Sequence, residues 1–93
     1  MTIDPAALDA FLARRPLWTF RDDALHTTLS CETFMHAIAA INTIADLAEA
    51  ADHHPEIRNV YTTVEITLTS HDAGAVTDRD VSLADAIDTA LNR

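Results

Sequence analysis

The chain has 93 residues, of which 48% are apolar and 23% charged, proportions typical of a globular protein rather than a disordered or membrane-spanning one. Six Lys and Arg against fifteen Asp and Glu give a formal net charge of −9, which argues against nucleic acid as a partner because it repels phosphate. So short a chain buries only about two-thirds of its unfolded surface, which predicts a single domain over residues 1–93.

The N-terminal segment predicts a short helix. The first residues lack the basic stretch and apolar run of a signal peptide, so we expect a cytoplasmic protein without a membrane segment. Asp4 suits the N-cap and Pro5 the first helical position, while Pro16 ends the helix. Apolar residues fall on one face of this helix at Leu8, Phe11 and Leu12.

A hairpin is predicted next. Residues 18–20 alternate with period two, Asp22-Asp23 supplies turn chemistry, and residues 24–29 form a second strand. The single Cys31 cannot form an internal disulfide, and we interpret it as a small hydrophobic residue.

A long amphipathic helix is the clearest element in the sequence. Ser30 is its predicted N-cap, and it runs to about Asp52. Its apolar stripe is predicted at Phe34, Ile38, Ile41, Ala45 and Ala48. Further apolar residues widen this surface at Ala37, Ile44, Leu47 and Ala51, so we expect the helix to pack on a second subunit as well as on its own sheet.

The remainder of the chain predicts strand and then helix. Residues 59–70 alternate, with Val64, Ile66 and Leu68 on one face, and their length favours a bend near Thr62-Thr63. Gly74 is expected in a backbone conformation that other residues resist. A capping box of Thr77 and Asp80 begins the last helix, whose buried face is predicted at Ala84, Ile87 and Leu91.

These elements predict an α+β fold. We expect an antiparallel sheet of about four strands with three helices packed on one face. The order is α-β-β-α-β-β-α, or the same order with the last two strands as one bent strand.

Three histidines are the candidate chemical groups. Imidazole titrates near neutral pH, so His53, His54 and His71 could give and take protons if a helix end and a strand end meet at one cleft. Pro55 disfavours helix at the preceding residue, so the two adjacent imidazoles should diverge.

Other interpretations of the histidines stay open. His26 and His36 are expected to be surface residues, and the three candidates could also be ordinary polar residues at element ends. Three histidines can hold a catalytic zinc, but adjacent histidines that diverge are poor joint ligands, so no metal is expected.

A longer pattern resembles the pterin-4a-carbinolamine dehydratases and covers roughly residues 45 to 88. The helix and strand order of the remaining chain is compatible with that family. More than a dozen positions agree in register, including two rare histidine placements. The matching residues are Glu49, Asp52-His53-His54-Pro55-Glu56, Asn59-Val60-Tyr61, Val64, Ile66, Leu68, Ser70-His71, Thr77 and Asp80.

The resemblance implies a homo-oligomeric enzyme, a dimer or tetramer joined through the long helix and the sheet edge. It would dehydrate 4a-hydroxytetrahydropterin to quinonoid dihydropterin, so that the cofactor of aromatic amino acid hydroxylases is recycled. No metal or other cofactor is implied. Some relatives of this family are partner-binding or assembly proteins, so a noncatalytic interaction module is the alternative.

The resemblance also implies roles for individual residues. His53 and His71 would be the acid and base pair, in an unassigned order, and His54 would bind or orient the substrate. Asp80 would orient or bias a histidine, while carboxylates at Glu49 and Asp52 would favour protonated imidazole. Further substrate contacts are expected from Pro55, Ser70 and Ile57.

Two departures from the family pattern bear on substrate binding. Many relatives carry an aromatic residue two positions after the proline, where this chain has Ile57, so a stacking contact with the flat pterin is expected to be lost. Ala75 stands where relatives commonly have Gly, which predicts a different shape for the loop after His71.

Overall fold

The computed structural model describes residues 2–93 and has the predicted α+β order. Three helices and four strands alternate along the chain as α-β-β-α-β-β-α, so the predicted fold class is confirmed. The elements are α1 Pro5–Arg14, β1 Thr19–Arg21, β2 Ala24–Ser30, α2 Phe34–Ala51, β3 Glu56–Val60, β4 Thr63–Leu68 and α3 Asp78–Ala90.

The four strands form one antiparallel sheet in the order β1-β2-β4-β3. The predicted alternation in β4 is confirmed, since Val64, Ile66 and Leu68 are at most 1% exposed while Glu65 between them is exposed. Leu25 of β2 lies opposite Leu68, so the apolar side chains of neighbouring strands share a face.

Strands β3 and β4 are separate. Of the two predicted orders, the one with two distinct strands is correct, and the predicted bend near Thr62-Thr63 is a complete chain reversal in which Val60 pairs with Thr63. Tyr61 takes a positive φ of 52° in the two-residue turn. The sequence does not decide between a bend and a reversal because the turn lacks the Gly, Asn or Asp residues that usually mark a tight hairpin.

Two of the three predicted helix caps need correction. Asp4 is at the N-cap of α1, but its side chain makes no capping hydrogen bond. Ser30 is the last residue of β2, and α2 is capped by Thr33, whose hydroxyl accepts from His36 N at 3.0 Å. The predicted capping box at the start of α3 is confirmed.

The core-facing side of α2 differs from the predicted stripe. Ala37, Ile44 and Ala48 are buried, whereas Phe34 is 51% exposed and Ala45 is also exposed. An alanine-rich helix is apolar on several sides, so periodicity alone does not select the side that packs on the sheet.

The hydrophobic core lies between the helices and one face of the sheet. Phe11 of α1 packs near Trp18, with ring centroids 6.4 Å apart, and Cys31 is a half-buried free thiol against the same core. Within residues 2–93, no helix combines the length and apolar character needed to cross a bilayer. The main core residues are Phe11, Trp18, Leu25, Leu29, Ala37, Ile44, Val64, Ile66, Leu68, Leu83 and Ile87.

Candidate active site

The end of α2 sets the directions of the two adjacent histidines. Asp52 adopts a left-handed backbone (φ 49°, ψ 44°), and its N–H donates to the carbonyls of Ala48 and Glu49. This conformation stops the helix one residue before His53. His53 turns inward and is 9% exposed, whereas His54 lies on the surface, so the predicted divergence of the imidazoles is observed.

His53 forms a short hydrogen bond with a buried carboxylate. Its Nε2 lies 2.5 Å from Oδ1 of Asp80, in the first turn of α3, and Asp80 has no exposed surface. Because hydrogen bonding on one ring nitrogen sets the role of the other, this contact leaves Nδ1 of His53 as the nitrogen available to a ligand. The bond joins the end of α2 to the start of α3.

Asp80 is held by two further donors. Its Oδ2 accepts from the hydroxyl of Ser70 at 2.9 Å and from the backbone N–H of Thr77 at 2.9 Å. The Ser70 and Thr77 hydroxyls lie 2.7 Å apart, and Ser70 is 1% exposed. These bonds replace the water that a buried carboxylate loses on folding. The structure therefore brings His53, Ser70 and Asp80 into one network, in which Ser70 contacts protein groups.

His54 has a different partner. Its Nε2 lies 2.6 Å from Oε1 of Glu49, and the side chains are 60% and 78% exposed, respectively. Such an exposed pair adds little to folding stability but limits the rotamers of the imidazole. Asp52, the third acidic residue of this segment, has its observed role in the backbone at the helix end.

His71 is exposed in the turn after β4, with Thr69 and Ser70 between it and the end of the strand. Ser70 and Ala75 form an isolated β-bridge, and Gly74 N donates to the Ser70 carbonyl at 2.9 Å. Gly74 has φ +65°, as its sequence position predicted, and an L side chain is disfavoured there. The turn thus begins at Ser70, the same residue whose hydroxyl binds Asp80.

A cleft of about 530 Å³ lies beside His53, between the C-terminal part of α2 and the first turns of α3. Its volume falls within the usual range for small-molecule sites. Of the described residues, neither His54 nor His71 lines this cleft. Pro55 and Ile57 are half-buried, and Ile57 packs against the core. The lining residues are Leu47, Ala50, Ala51, His53, Asp78, Arg79, Ser82, Leu83 and Ala86.

Two charged residues that pair with each other, Arg79 at the cleft and Asp72 in the turn after β4, were not identified from the sequence. Arg79 donates to Oδ1 of Asp72 at 2.6 Å. This hydrogen bond lowers the pKa of Asp72 and raises that of Arg79. A signal was available, because Arg79 is a cation in the first turn of a helix, where the helix dipole disfavours positive charge.

The described part of the chain holds no cluster of metal-ligating side chains. Across residues 2–93, no three His, Cys, Asp or Glu side chains are close enough together to hold an ion.

The fold and site define a class: a small α+β protein with a histidine paired to a buried carboxylate beside a cleft between two helices. A family model described as pterin 4 alpha carbinolamine dehydratase matches residues 1–90. A protein of Prochlorococcus marinus (strain NATL2A), provisionally named a pterin-4-alpha-carbinolamine dehydratase, is 37% identical over 90 residues, which are 97% of this chain and 95% of that protein. The chain therefore belongs to the pterin-4-alpha-carbinolamine dehydratase family.

Two solved structures share this fold. A transcriptional coactivator/pterin dehydratase from Brucella melitensis superposes with a TM-score of 0.89 at 26% identity, covering 96% of this chain and 97% of that one. A pterin dehydratase-like protein identified as a RuBisCO assembly factor in the alpha-carboxysome superposes with a TM-score of 0.64 at 20% identity, covering 77% of this chain and 83% of that one. The second likeness concerns the fold alone.

Proposed function

We propose that the protein is a pterin-4a-carbinolamine dehydratase that converts 4a-hydroxytetrahydropterin to quinonoid dihydropterin and water. The observation that carries this proposal is the bond between His53 and the buried Asp80 at the edge of a cleft of suitable size. Family membership supplies the substrate class. We place this activity in the cytoplasm, in the recycling of the cofactor used by aromatic amino acid hydroxylases.

The reaction requires two proton movements. The C4a–O bond breaks as the oxygen receives a proton and leaves as water, and the adjacent ring N–H loses a proton as the C=N bond forms. An acid and a base on the two sides of the departing water account for both movements, and imidazole can serve in either role near neutral pH.

His53 suits one of these roles. With Asp80 ionised, the Nε2–H of His53 donates to the carboxylate and Nδ1 carries the lone pair that can accept a proton from the substrate. Asp80 also fixes the ring, because its other oxygen is held by Ser70 and Thr77. The low exposure of His53 limits competition from water.

His71 is the proposed partner of His53. It follows Ser70 directly, and Ser70 binds the same carboxylate as His53, so the turn that bears His71 begins at the network that holds His53. An exposed imidazole can also exchange protons with solvent between turnovers, which a catalytic acid and base pair requires.

The other expected site residues have supporting roles in this proposal. His54, oriented by Glu49, would bind or orient the substrate from the surface beside His53, where Glu49 and Asp52 would contribute negative charge. Pro55, Ile57 and Ser70 would shape the site, with Ile57 and Ser70 acting from their packed positions.

An activity measurement tests the proposal. Purified protein is expected to accelerate the loss of the 4a-hydroxypterin absorbance above its spontaneous rate. Correctly folded protein that left the spontaneous rate unchanged would overturn the proposal.

A noncatalytic interaction module is the second candidate. The observation that favours it is the exposure of large apolar side chains at the start of α2, with Phe34 51% and Met35 68% exposed. Stoichiometric capture of one protein partner, together with absence of dehydratase activity, would select this function over the first.

A further inference from the structure

The turn that bears His71 has a second connection to α3. Arg79 forms an ion pair with Asp72, the residue after His71, with Nη2 of Arg79 2.6 Å from Oδ1 of Asp72. Their side chains are 49% and 71% exposed, so the pair contributes little to overall stability.

The location of Arg79 is unfavourable for the helix that carries it. It is the second residue of α3, where the helix dipole disfavours a cation. Its neighbours Asp78 and Asp80 carry the negative charge that the dipole favours there. A residue that departs from a local rule without a local benefit is a candidate for a functional role.

His71 lies between two connections to the same helix start. On one side, the Ser70 hydroxyl donates to Asp80, and on the other, Asp72 accepts from Arg79. Arg79 and Asp80 are adjacent in the first turn of α3, and Asp80 also holds His53. The two connections restrain the backbone on both sides of His71, and both lead to the turn of helix that orients the other histidine.

We infer that Arg79 is a positioning residue, which acts through Asp72 to hold His71 in place relative to His53. This inference rests on the proposed function, because it gives His71 a catalytic role. A displacement of a catalytic group by about 1 Å can cost roughly a hundredfold in rate, so loss of one of two restraints is expected to cost about tenfold.

The first test is the steady-state kinetics of Arg79→Met and Asp72→Asn with 4a-hydroxytetrahydropterin. Both variants are expected to lower kcat by about tenfold with KM changed less than twofold, and the double variant to fall no further than either single one. Arg79 also lines the cleft, so direct contact with the substrate is the competing explanation. An effect of Arg79→Met on KM, with Asp72→Asn at the wild-type rate, would overturn the inference.

Rescue separates positioning from general damage. Arg79→Lys keeps the positive charge, so it is expected to have a higher kcat than Arg79→Met. The exchanged pair, Asp72→Arg with Arg79→Asp, is expected to have a higher kcat than either of its single variants. If neither Arg79→Lys nor the exchanged pair recovers kcat, the inference is overturned.

A matched control is available on the opposite side of the sheet. Arg58 and Glu65 form another exposed ion pair between neighbouring strands at 3.2 Å, with 63% and 47% exposed side chains. Arg58→Met is expected to leave kcat and KM unchanged, and a decrease equal to that of Arg79→Met would overturn the inference.

A measurement without substrate keeps this inference distinct from the proposed function. The Gly74 amide, which donates to Ser70 O, is expected to exchange its hydrogen faster in Arg79→Met than in Arg58→Met. If wild-type protein fails to dehydrate the pterin, the proposed function fails, and the inference fails with it. If wild-type protein is active and Arg79→Met retains full kcat, the inference alone fails.

Discussion

One buried carboxylate, that of Asp80, holds the candidate site together. Asp80 receives donors from α2, from the turn after β4 and from the start of its own helix, through His53, Ser70 and Thr77. A carboxyl group without exposed surface is tolerated only when its hydrogen bonds are satisfied, so the same bonds that hold Asp80 also align His53. In the proposed mechanism, structural and catalytic demands therefore meet at one residue.

Replacement of Asp80 separates those two demands. In Asp80→Asn the amide cannot accept from all three donors, so we expect the free energy of unfolding to fall by about 1–3 kcal/mol. We also expect kcat to fall by up to about a hundredfold, because His53 loses its orientation. Denaturant titration and steady-state kinetics measure the two effects.

Asp88→Asn is the matched control for this variant. Asp88 is also buried, at 2% exposure, and accepts from Trp18 Nε1 at 3.0 Å near the other end of α3. It is expected to lose stability by a similar amount while kcat stays at the wild-type value. Equal losses of kcat in the two variants would show that general destabilisation, rather than His53 orientation, sets the rate.

At the scale of elements, charged side chains join α1 to α3. Asp85 of α3 accepts from Arg14 at 2.7 Å and from Arg15 at 2.8 Å. Partial burial acts to raise the pKa of Asp85, but the hydrogen bonds from the two arginines outweigh it, so its pKa lies below the ordinary value of 3.8. The unfolded state therefore binds a proton on Asp85 more readily than the folded state does.

This depressed pKa predicts an acid dependence of stability. The contribution of Asp85 is fully present above the ordinary pKa of 3.8 and is lost as pH falls through the lower pKa of the folded state. The free energy of unfolding of wild type should exceed that of Asp85→Asn by about 0.5–1 kcal/mol at pH 6, and the difference should disappear once pH is below the folded-state pKa of Asp85. Urea titrations of both proteins across this range measure the difference, and a constant difference contradicts the assignment.

The elements also show what the sequence could predict. Val64, Ile66 and Leu68 alternate strictly, and Thr77 and Asp80 form a local capping box, so these features follow from short-range rules. The reversal at Tyr61 and the core-facing side of α2 depend on tertiary contacts. Strand pairing selects a turn that Tyr61 does not favour, and the sheet selects one side of a helix that is apolar on several.

The candidate site also combines features that follow from local sequence with features that depend on tertiary contacts. The divergence of His53 and His54 follows from Pro55, a local effect. The contact between His53 and Asp80 joins residues 27 positions apart, and only resemblance to a family indicated it in advance. The pair of Arg79 and Asp72 was not predicted, because nothing in the spacing shows that the turn folds back onto α3.

At the scale of the whole molecule, we propose that α2 joins subunits. Phe34 and Met35 in its first turn are more than half exposed, a surface that a second copy could cover. We expect light scattering to give a mass of at least twice the 10.2 kDa of one chain. Phe34→Ser with Met35→Ser should shift the mass toward the monomer, while Leu17→Ser, at another exposed apolar residue, should not. A wild-type monomer at about 0.1 mM would contradict this proposal.

We propose that His53 and His71 exchange protons with one bound pterin. The most direct measurement is the pH dependence of kcat/KM for wild type, His53→Ala and His71→Ala, with folding verified by circular dichroism. We expect a bell-shaped profile for wild type, and for each variant the loss of one limb with a decrease in kcat of about 10²–10⁴-fold. A variant that keeps the wild-type rate and the complete bell would contradict the claim.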